Sequence, residues 1–247
     1  MQAPLHMSRF TRKLTPVYPL HVTGRCNNRE NFPIQMTLAW EIFSDYLFAI
    51  HQRYEIEICS FVLMSNHFHL ICLDPKLNLS KAMALFMKET SCEIGRLSKR
   101  KNRLWGAPYH SSIISSPLYY LHAYKYNYRN PVAAGICDKV EAYPWSTLQV
   151  LLGEKRGVIP IVNDETLLPE WRSTLDWLNH GYSKDEVNDL KVGFQKKIFE
   201  LPVEATTKRK NRLSSPESLP NFCAVNCEML GGTFNSSFFI ASGVEHL

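Results

Sequence analysis

Two histidines one residue apart are the first side chains of this 247-residue chain whose types and spacing could do chemistry. In a β-strand, alternate side chains lie on one face, so His67 and His69 would point the same way and Phe68 the opposite way. Two neutral imidazoles suit a divalent metal and leave room for a third ligand and an open position. The alternative is a half-exposed pair satisfied by water, because a chain with nine histidines also produces His-x-His by chance.

A second group of polar side chains lies near the end of a tyrosine-rich segment. Tyr126 and Asn130 are four residues apart, so on a helix the phenol and the amide would lie one above the other. Tyr119 and His122 precede Tyr126 by seven and four residues and extend the same face. Spacing alone does not distinguish Tyr126 from the neighbouring tyrosines, each of which could be a core aromatic instead.

Strands and helices must position both groups, and the hydrophobic pattern predicts these elements. Runs of β-forming residues predict strands at 16–25, 54–64, 67–73 and 109–114. Apolar residues at helical spacing predict helices at 34–53, at 82–99 with Ser80 as the cap, from Pro117 to a stop at Pro131, and at 169–180 and 184–199.

The predicted order of the first seven elements is β-α-β-β-α-β-α. Its first six elements match the split βαβ, ferredoxin-like plan, an α+β fold in which helices cover one face of a mostly antiparallel sheet. The seventh element, an added helix, would carry Tyr126.

Composition and charge restrict the class of protein. With 45% hydrophobic and 21% charged residues, the chain is neither collagen-like, nor a coiled coil, nor wholly disordered. We expect a cytoplasmic protein, because no apolar stretch is long enough to span a bilayer and the N-terminus has no apolar secretory core. The seven cysteines are odd in number and five of them are scattered singly, which predicts reduced thiols. The one close pair, Cys223 and Cys227, lacks the partners of a zinc site. The net charge is +5, and basic clusters at 96–103 and 208–212 suit a polyanion or are solvated segments.

Four segments of the sequence, in this order, resemble one family. They are VYPLHVTGRCNNRENF, MSNHFHLI, YNYRNPVAAGI and YPWST. Together they are similar to the single-tyrosine transposases of the HUH nuclease superfamily, especially the REP-associated tyrosine transposases. The resemblance predicts a transposase-like domain at 12–152. The remaining chain is predicted to form a helical extension at 153–203 and a loosely ordered tail at 204–247.

The resemblance implies a role for individual residues. Tyr126 matches the nucleophile, His67 and His69 match the two metal-binding histidines, and Asn130 matches the third, polar ligand. The implied cofactor is Mg²⁺ or Mn²⁺, the implied substrate is single-stranded DNA beside a hairpin, and the implied assembly is a homodimer. Basic residues that could contact the DNA backbone are Arg25, Arg29, Lys99, Arg100, Lys101 and Arg103.

The function that the resemblance implies is DNA transposition, in which a 5′-phosphotyrosine intermediate links cleavage to rejoining. His122 is a candidate base for the tyrosine by position only. One alternative is a domesticated, sequence- or hairpin-specific DNA-binding protein without strand transfer. A protein that only binds DNA, however, would not need the nucleophile and the three metal ligands together. Another alternative is a metal-dependent phosphodiesterase that uses water as nucleophile, which would form no covalent adduct.

Overall fold

The strands and helices follow the predicted order in a computed structural model that describes residues 13–162 and 171–201. The strands are β1 (Leu20–Arg25), β2 (Glu57–Leu63), β3 (His67–Leu73) and β4 (His110–Ile113). The helices are α1 (Met36–Tyr54), α2 (Leu79–Ser98), α3 (Pro117–Ala133), α4 (Leu148–Leu151), α5 (Trp171–Asn179) and α6 (Lys184–Phe194). One antiparallel sheet has the strand order β2-β3-β1-β4, which confirms the α+β, ferredoxin-like prediction.

The sheet has a helix layer on each face, and the alternation of side chains in β3 separates the two layers. Phe68 points toward α1 and α2, where its ring contacts Phe43 and Phe86. Ile71, on the opposite face, packs in a second core with residues of α3, α5 and α6. The added helix and the C-terminal helices therefore cover the face that the ferredoxin-like plan leaves open.

Helix α3 does not end at Pro131, so that prediction was wrong. Proline lacks only its own hydrogen bond to the preceding turn, and here it lies in the last turn, where one lost bond does not stop the helix. The last helical residue is Ala133, and Gly135, whose φ is +69°, follows it. The amide of Gly135 donates to the Val132 carbonyl and that of Ile136 to the Pro131 carbonyl, both at 3.0 Å, as in a Schellman motif.

The N-terminus of α2 is capped from outside the helix rather than by Ser80, which is a second correction. The Asp74 carboxylate accepts hydrogen bonds from the backbone amides of Asn78 at 2.6 Å and Leu79 at 2.8 Å. The helix consequently begins at Leu79, and Ser80 lies in its first turn. A carboxylate at this position satisfies free amides and complements the helix dipole.

The C-terminal helices are part of the same packed structure as the sheet. A capping box of Ser183 and Glu186 starts α6, which ends at Phe194 instead of the predicted residue 199. It ends early because the backbone then turns to run beside β4, where the Ile113 amide donates to Lys197 and its carbonyl accepts from Phe199. The division at residues 152 and 203 stays a prediction, and the tail, with its basic run and its two cysteines, lies outside the described residues.

Two predictions made from composition can be compared with the described residues. The five cysteines among them are free thiols, in agreement with the prediction of reduced cysteines. No helix within residues 13–162 and 171–201 is long and apolar enough to cross a membrane.

Candidate active site

The two histidines of β3 lie on the sheet face that α3 covers. Their ring centroids are 5.0 Å apart, and His69 is 5% exposed. The central strand β1 runs alongside, with Arg25 opposite His67 and Thr23 opposite His69. The predicted pairing of the two imidazoles on one face is therefore what the fold produces.

Helix α3 crosses this face and brings the tyrosine to the histidines. The ring of Tyr126 lies edge-on to that of His69, with 5.7 Å between the centroids. Asn130, one helical turn further along, joins Tyr126, His67 and His69 in the wall of one cleft of about 640 Å³. The structure thus brings together the four residues that the resemblance implies as nucleophile and metal ligands.

Hydrogen bonds fix the orientation of His67. The Asn66 amide nitrogen donates to the Arg29 carbonyl at 2.8 Å, so its Oδ1 faces His67 and must accept the 2.6 Å bond from the Nδ1 of that ring. A hydrogen on Nδ1 leaves the lone pair of His67 on Nε2. Histidines that bind metals are oriented by such a partner on the other ring nitrogen.

The other two candidate ligands, His69 and Asn130, also have an atom whose lone pair is available to a metal ion. His69 Nδ1 lies 3.0 Å from His21 Nε2, and His69 Nε2 is buried with no hydrogen-bond partner in the described part of the chain. The Asn130 amide nitrogen donates to the Tyr126 carbonyl at 2.8 Å, which leaves the side-chain oxygen of Asn130 as an acceptor. Two imidazole nitrogens and an amide oxygen fit a divalent cation. Residues 13–162 and 171–201 contain no cluster of three His, Cys, Asp or Glu side chains that could hold a metal.

Burial keeps these imidazoles neutral. It lowers the pKa of His67 to about 3, with a smaller contribution from the charge of Arg25. Burial likewise holds the pKa of His69 well below its usual value, followed by the effects of His21, His67 and Arg25. A neutral ring is the form that binds a metal, so the surroundings favour ligation over protonation.

The phenol of Tyr126 is held in its protonated form. Burial raises its pKa to about 12, and the positive charge of Arg25 opposes this shift. The ring packs against Phe194 of α6, with 5.0 Å between centroids. Loss of the phenolic proton at neutral pH would therefore require a further positive charge or a base.

The predicted DNA-contacting residues differ in their positions. Arg25 lines the cleft, whereas Arg29, Lys99, Lys101 and Arg103 are exposed and do not line it. Lys99, Lys101 and Arg103 lie in the segment that follows α2. This segment is tied to the residues just after β1 by the Asn27 amide, which donates to the Leu104 carbonyl at 2.8 Å.

Two of the predicted functional residues, Arg100 and His122, make hydrogen bonds within the fold. Arg100 donates to Glu30 at 2.8 Å and to the Arg103 carbonyl at 3.3 Å. His122 is buried and hydrogen-bonded to the Tyr182 hydroxyl at 2.9 Å, and it does not line the cleft. The position of His122 in the fold therefore gives no support for a role as base.

Sequence reasoning missed two parts of the site. Three polar residues of α6, Lys184, Asn188 and Lys191, line the cleft together with Val187, and the spacing of the three by four and three residues does mark one helical face. Nothing in that spacing indicates that the face meets the histidines. His21 was also missed, because its contact with His69 depends on the register between β1 and β3.

Comparisons with known proteins found one matching family model and solved structures that are similar to this chain. Residues 17–126 match the family model of IS200-like transposases. A solved REP-associated tyrosine transposase, bound to a REP hairpin, is similar in structure with a TM-score of 0.50 and 22% identity, over 64% of this chain and 93% of that one. A putative transposase from Deinococcus radiodurans R1 matches with a TM-score of 0.32 and 13% identity, over 38% of this chain and 75% of that one. No curated protein sequence matches significantly.

The family match ends at Tyr126, so Asn130 and all of α6 lie beyond it. The first of the two structures supports the fold, since the similarity extends over 64% of this chain and 93% of the other. The resemblance seen in the sequence is confirmed for residues 17–126: this part of the chain matches the IS200-like transposases, a family of DNA-processing enzymes.

Proposed function

We propose that this protein is a metal-dependent transposase that cleaves and rejoins single-stranded, hairpin-associated DNA through a 5′-phosphotyrosine. The observation that carries the proposal is the position of Tyr126, whose ring lies 5.7 Å from that of His69 in a cleft that also contains His67 and Asn130. A protein that only binds DNA has no need of a phenol beside two neutral imidazoles. The similar structure that holds a REP hairpin supports hairpin DNA as the substrate.

The proposed reaction is a transesterification at phosphorus. The Tyr126 oxygen forms a bond to the scissile phosphorus and loses its proton, while the bond from phosphorus to the 3′ oxygen breaks and that oxygen takes up a proton. A divalent ion held by His67, His69 and Asn130 would neutralise charge on the phosphate oxygens. A second 3′-hydroxyl can then attack the phosphotyrosine, which restores the phenol and rejoins the strand without ATP.

Cationic side chains on two walls of the cleft favour a nucleic-acid strand as the substrate. Arg25 lies at the end of β1 on one wall, and Lys184 and Lys191 lie on one face of α6 on another. Both lysines are exposed, and seven residues of helix separate them by about 10 Å. Arg129 also lines the cleft, but its guanidinium donates to the Leu178 and Asn179 carbonyls and ties α3 to α5. We infer that the two lysines contact backbone phosphates beside the scissile one.

A single chain supplies every residue of the proposed site. Tyr126 and His69 meet within one copy, so the homodimer implied by the sequence resemblance is not needed to assemble them. We infer that cleavage takes place in cis. The homodimer itself stays a prediction.

The proposal is tested by searching for a covalent protein–DNA adduct. Labelled single-stranded DNA bearing hairpins is incubated with the protein and Mn²⁺ or Mg²⁺, and SDS-resistant adducts are separated by electrophoresis. We expect a metal-dependent adduct with the wild type that is absent with Tyr126→Phe and with His67→Ala. Tyr119→Phe is the matched control, because Tyr119 lies on the same helix and does not line the cleft.

Two other outcomes would contradict the proposal. Cleavage that persists in Tyr126→Phe would identify water as the nucleophile. Hairpin binding with neither adduct nor cleavage, across a broad hairpin library, would favour the domesticated DNA-binding protein.

A further inference from the structure

A third histidine lies behind the pair, on the central strand of the sheet. His21 is 1% exposed, and its Nε2 is 3.0 Å from Nδ1 of His69. Its other nitrogen, Nδ1, is buried and has no hydrogen-bond partner in residues 13–162 and 171–201. The mechanism proposed above makes no use of this ring, yet burying an unpaired ring nitrogen costs free energy.

The hydrogen bond between the two rings permits two tautomeric arrangements. If His21 donated from Nε2, His69 would carry its own hydrogen on Nε2 and could not ligate a cation there. If His69 donates from Nδ1, its Nε2 presents a lone pair, and the unpaired hydrogen lies on His21 Nδ1. A cation that binds at Nε2 of His69 therefore selects the second arrangement.

We propose that His21 is a positioning residue, which accepts a hydrogen bond from His69 and so holds the Nε2 lone pair of that ring toward the metal. This inference rests on the metal site of the proposed function. It assigns to His69 the kind of partner that His67 already has in Asn66, whose oxygen accepts from Nδ1 at 2.6 Å. Each imidazole of the site is then fixed by its own acceptor, as metal-binding histidines commonly are.

The surroundings of His21 suit an acceptor with one fixed position. Its ring packs against Phe194 of α6, with 4.2 Å between the centroids, and against the edge of Tyr126 at 6.3 Å. A neutral imidazole with its hydrogen on Nδ1 has a lone pair on Nε2, which is the atom that faces His69.

The test is the affinity of the full chain for Mn²⁺, measured without DNA by calorimetry or by electron paramagnetic resonance. His21→Phe keeps a ring of similar size but removes the acceptor, and we expect Mn²⁺ to bind about 10- to 100-fold more weakly. His21→Gln restores an acceptor and should return the affinity to within about threefold of the wild type. Ser112→Ala is the control, because Ser112 is buried beside His21 on β4 and should leave the affinity unchanged.

Unchanged Mn²⁺ affinity in His21→Phe would overturn the inference. If that variant does not fold, ¹⁵N NMR of the wild-type imidazoles decides instead. A hydrogen on Nδ1 of His69 in the Mg²⁺-saturated protein supports the role of His21, and a hydrogen on Nε2 overturns it. The adduct assay separates this inference from the proposed function: a missing adduct with normal Mn²⁺ binding contradicts only the strand-transfer reaction, whereas a wild type that binds no Mn²⁺ contradicts both.

Discussion

The ring of Tyr126 and the ring of His69 meet edge to face within one chain, 5.7 Å apart between centroids. The tyrosine belongs to α3 and the histidine to β3, and the contact exists because α3 folds back over the sheet face opposite α1 and α2. In the proposed reaction, the packing of a single copy would therefore determine which tyrosine and which histidine act on the same phosphate.

Mixing two inactive variants tests whether cleavage takes place in cis. Tyr126→Phe lacks the nucleophile and His67→Ala lacks a ligand, so neither chain has a complete site. We expect the mixture to form less than about one hundredth of the wild-type adduct, since each cleft uses side chains of its own copy. The measurement is the amount of SDS-resistant adduct after prolonged mixing. Recovery of the adduct in the mixture would mean that tyrosine and histidines come from different copies.

The lysines of α6 are expected to contribute to DNA affinity and to its salt dependence. Removing Lys184 and Lys191 together should reduce the slope of log K against log salt by about 1.4, because each phosphate contact on a single strand contributes about 0.7. Fluorescence anisotropy with a labelled single strand, between low and moderate salt, measures this slope. Lys76→Ala with Lys197→Ala removes the same charge at exposed positions outside the cleft and is the control. Equal slopes for the two double variants would contradict a role for α6.

Acid should destabilise the metal-free protein through its buried neutral histidines. The folded-state pKa of His21 is about 3 and an unfolded histidine has a pKa near 6.5. Between these values the unfolded chain binds the proton first, so the free energy of unfolding falls as the pH falls. Below pH 6, His21→Gln should reduce the slope of the free energy of unfolding against pH by about 1.4 kcal/mol per pH unit. Urea unfolding between pH 7 and 4 measures it, and identical slopes for variant and wild type would contradict the shift.

The left-handed glycine at the end of α3 offers a test of the helix terminus that carries Asn130. Gly135 has a φ of +69°, and a Cβ added there would meet no atom within 4 Å. Any cost of Gly135→Ala must therefore come from the backbone conformation and not from a clash. We expect the free energy of unfolding to fall by about 1 kcal/mol, measured by urea denaturation. If Gly135→Ala left the free energy of unfolding unchanged, the helix terminus would be able to adopt another conformation at no cost.

The features that sequence predicted well follow from local periodicity. The period of two in β3 placed His67 and His69 on one face, and the helical period placed Tyr126 and Asn130 together. Periodicity could not predict that these two faces meet, since this depends on the order β2-β3-β1-β4 and on α3 covering the open side. The family resemblance supplied that step.

The features that sequence missed depend on non-local geometry. His21 reaches His69 only because β1 and β3 pair in one particular register. Lys184 reaches the cleft because α6 packs on α3, which lies more than fifty residues earlier in the chain. The stop predicted at Pro131 failed for a local reason, because the glycine that terminates the helix lies four residues further on.

The backbone pairing at residues 197–199 has a consequence for the sheet as a whole. An outer strand with free amides and carbonyls can recruit another polypeptide and promote aggregation. In β4 the Ile113 amide donates to the Lys197 carbonyl at 3.0 Å, and the Ile113 carbonyl accepts from the Phe199 amide at 2.8 Å. The chain thereby shields its own edge, and a strand from another molecule would have to displace this segment before it could extend the sheet.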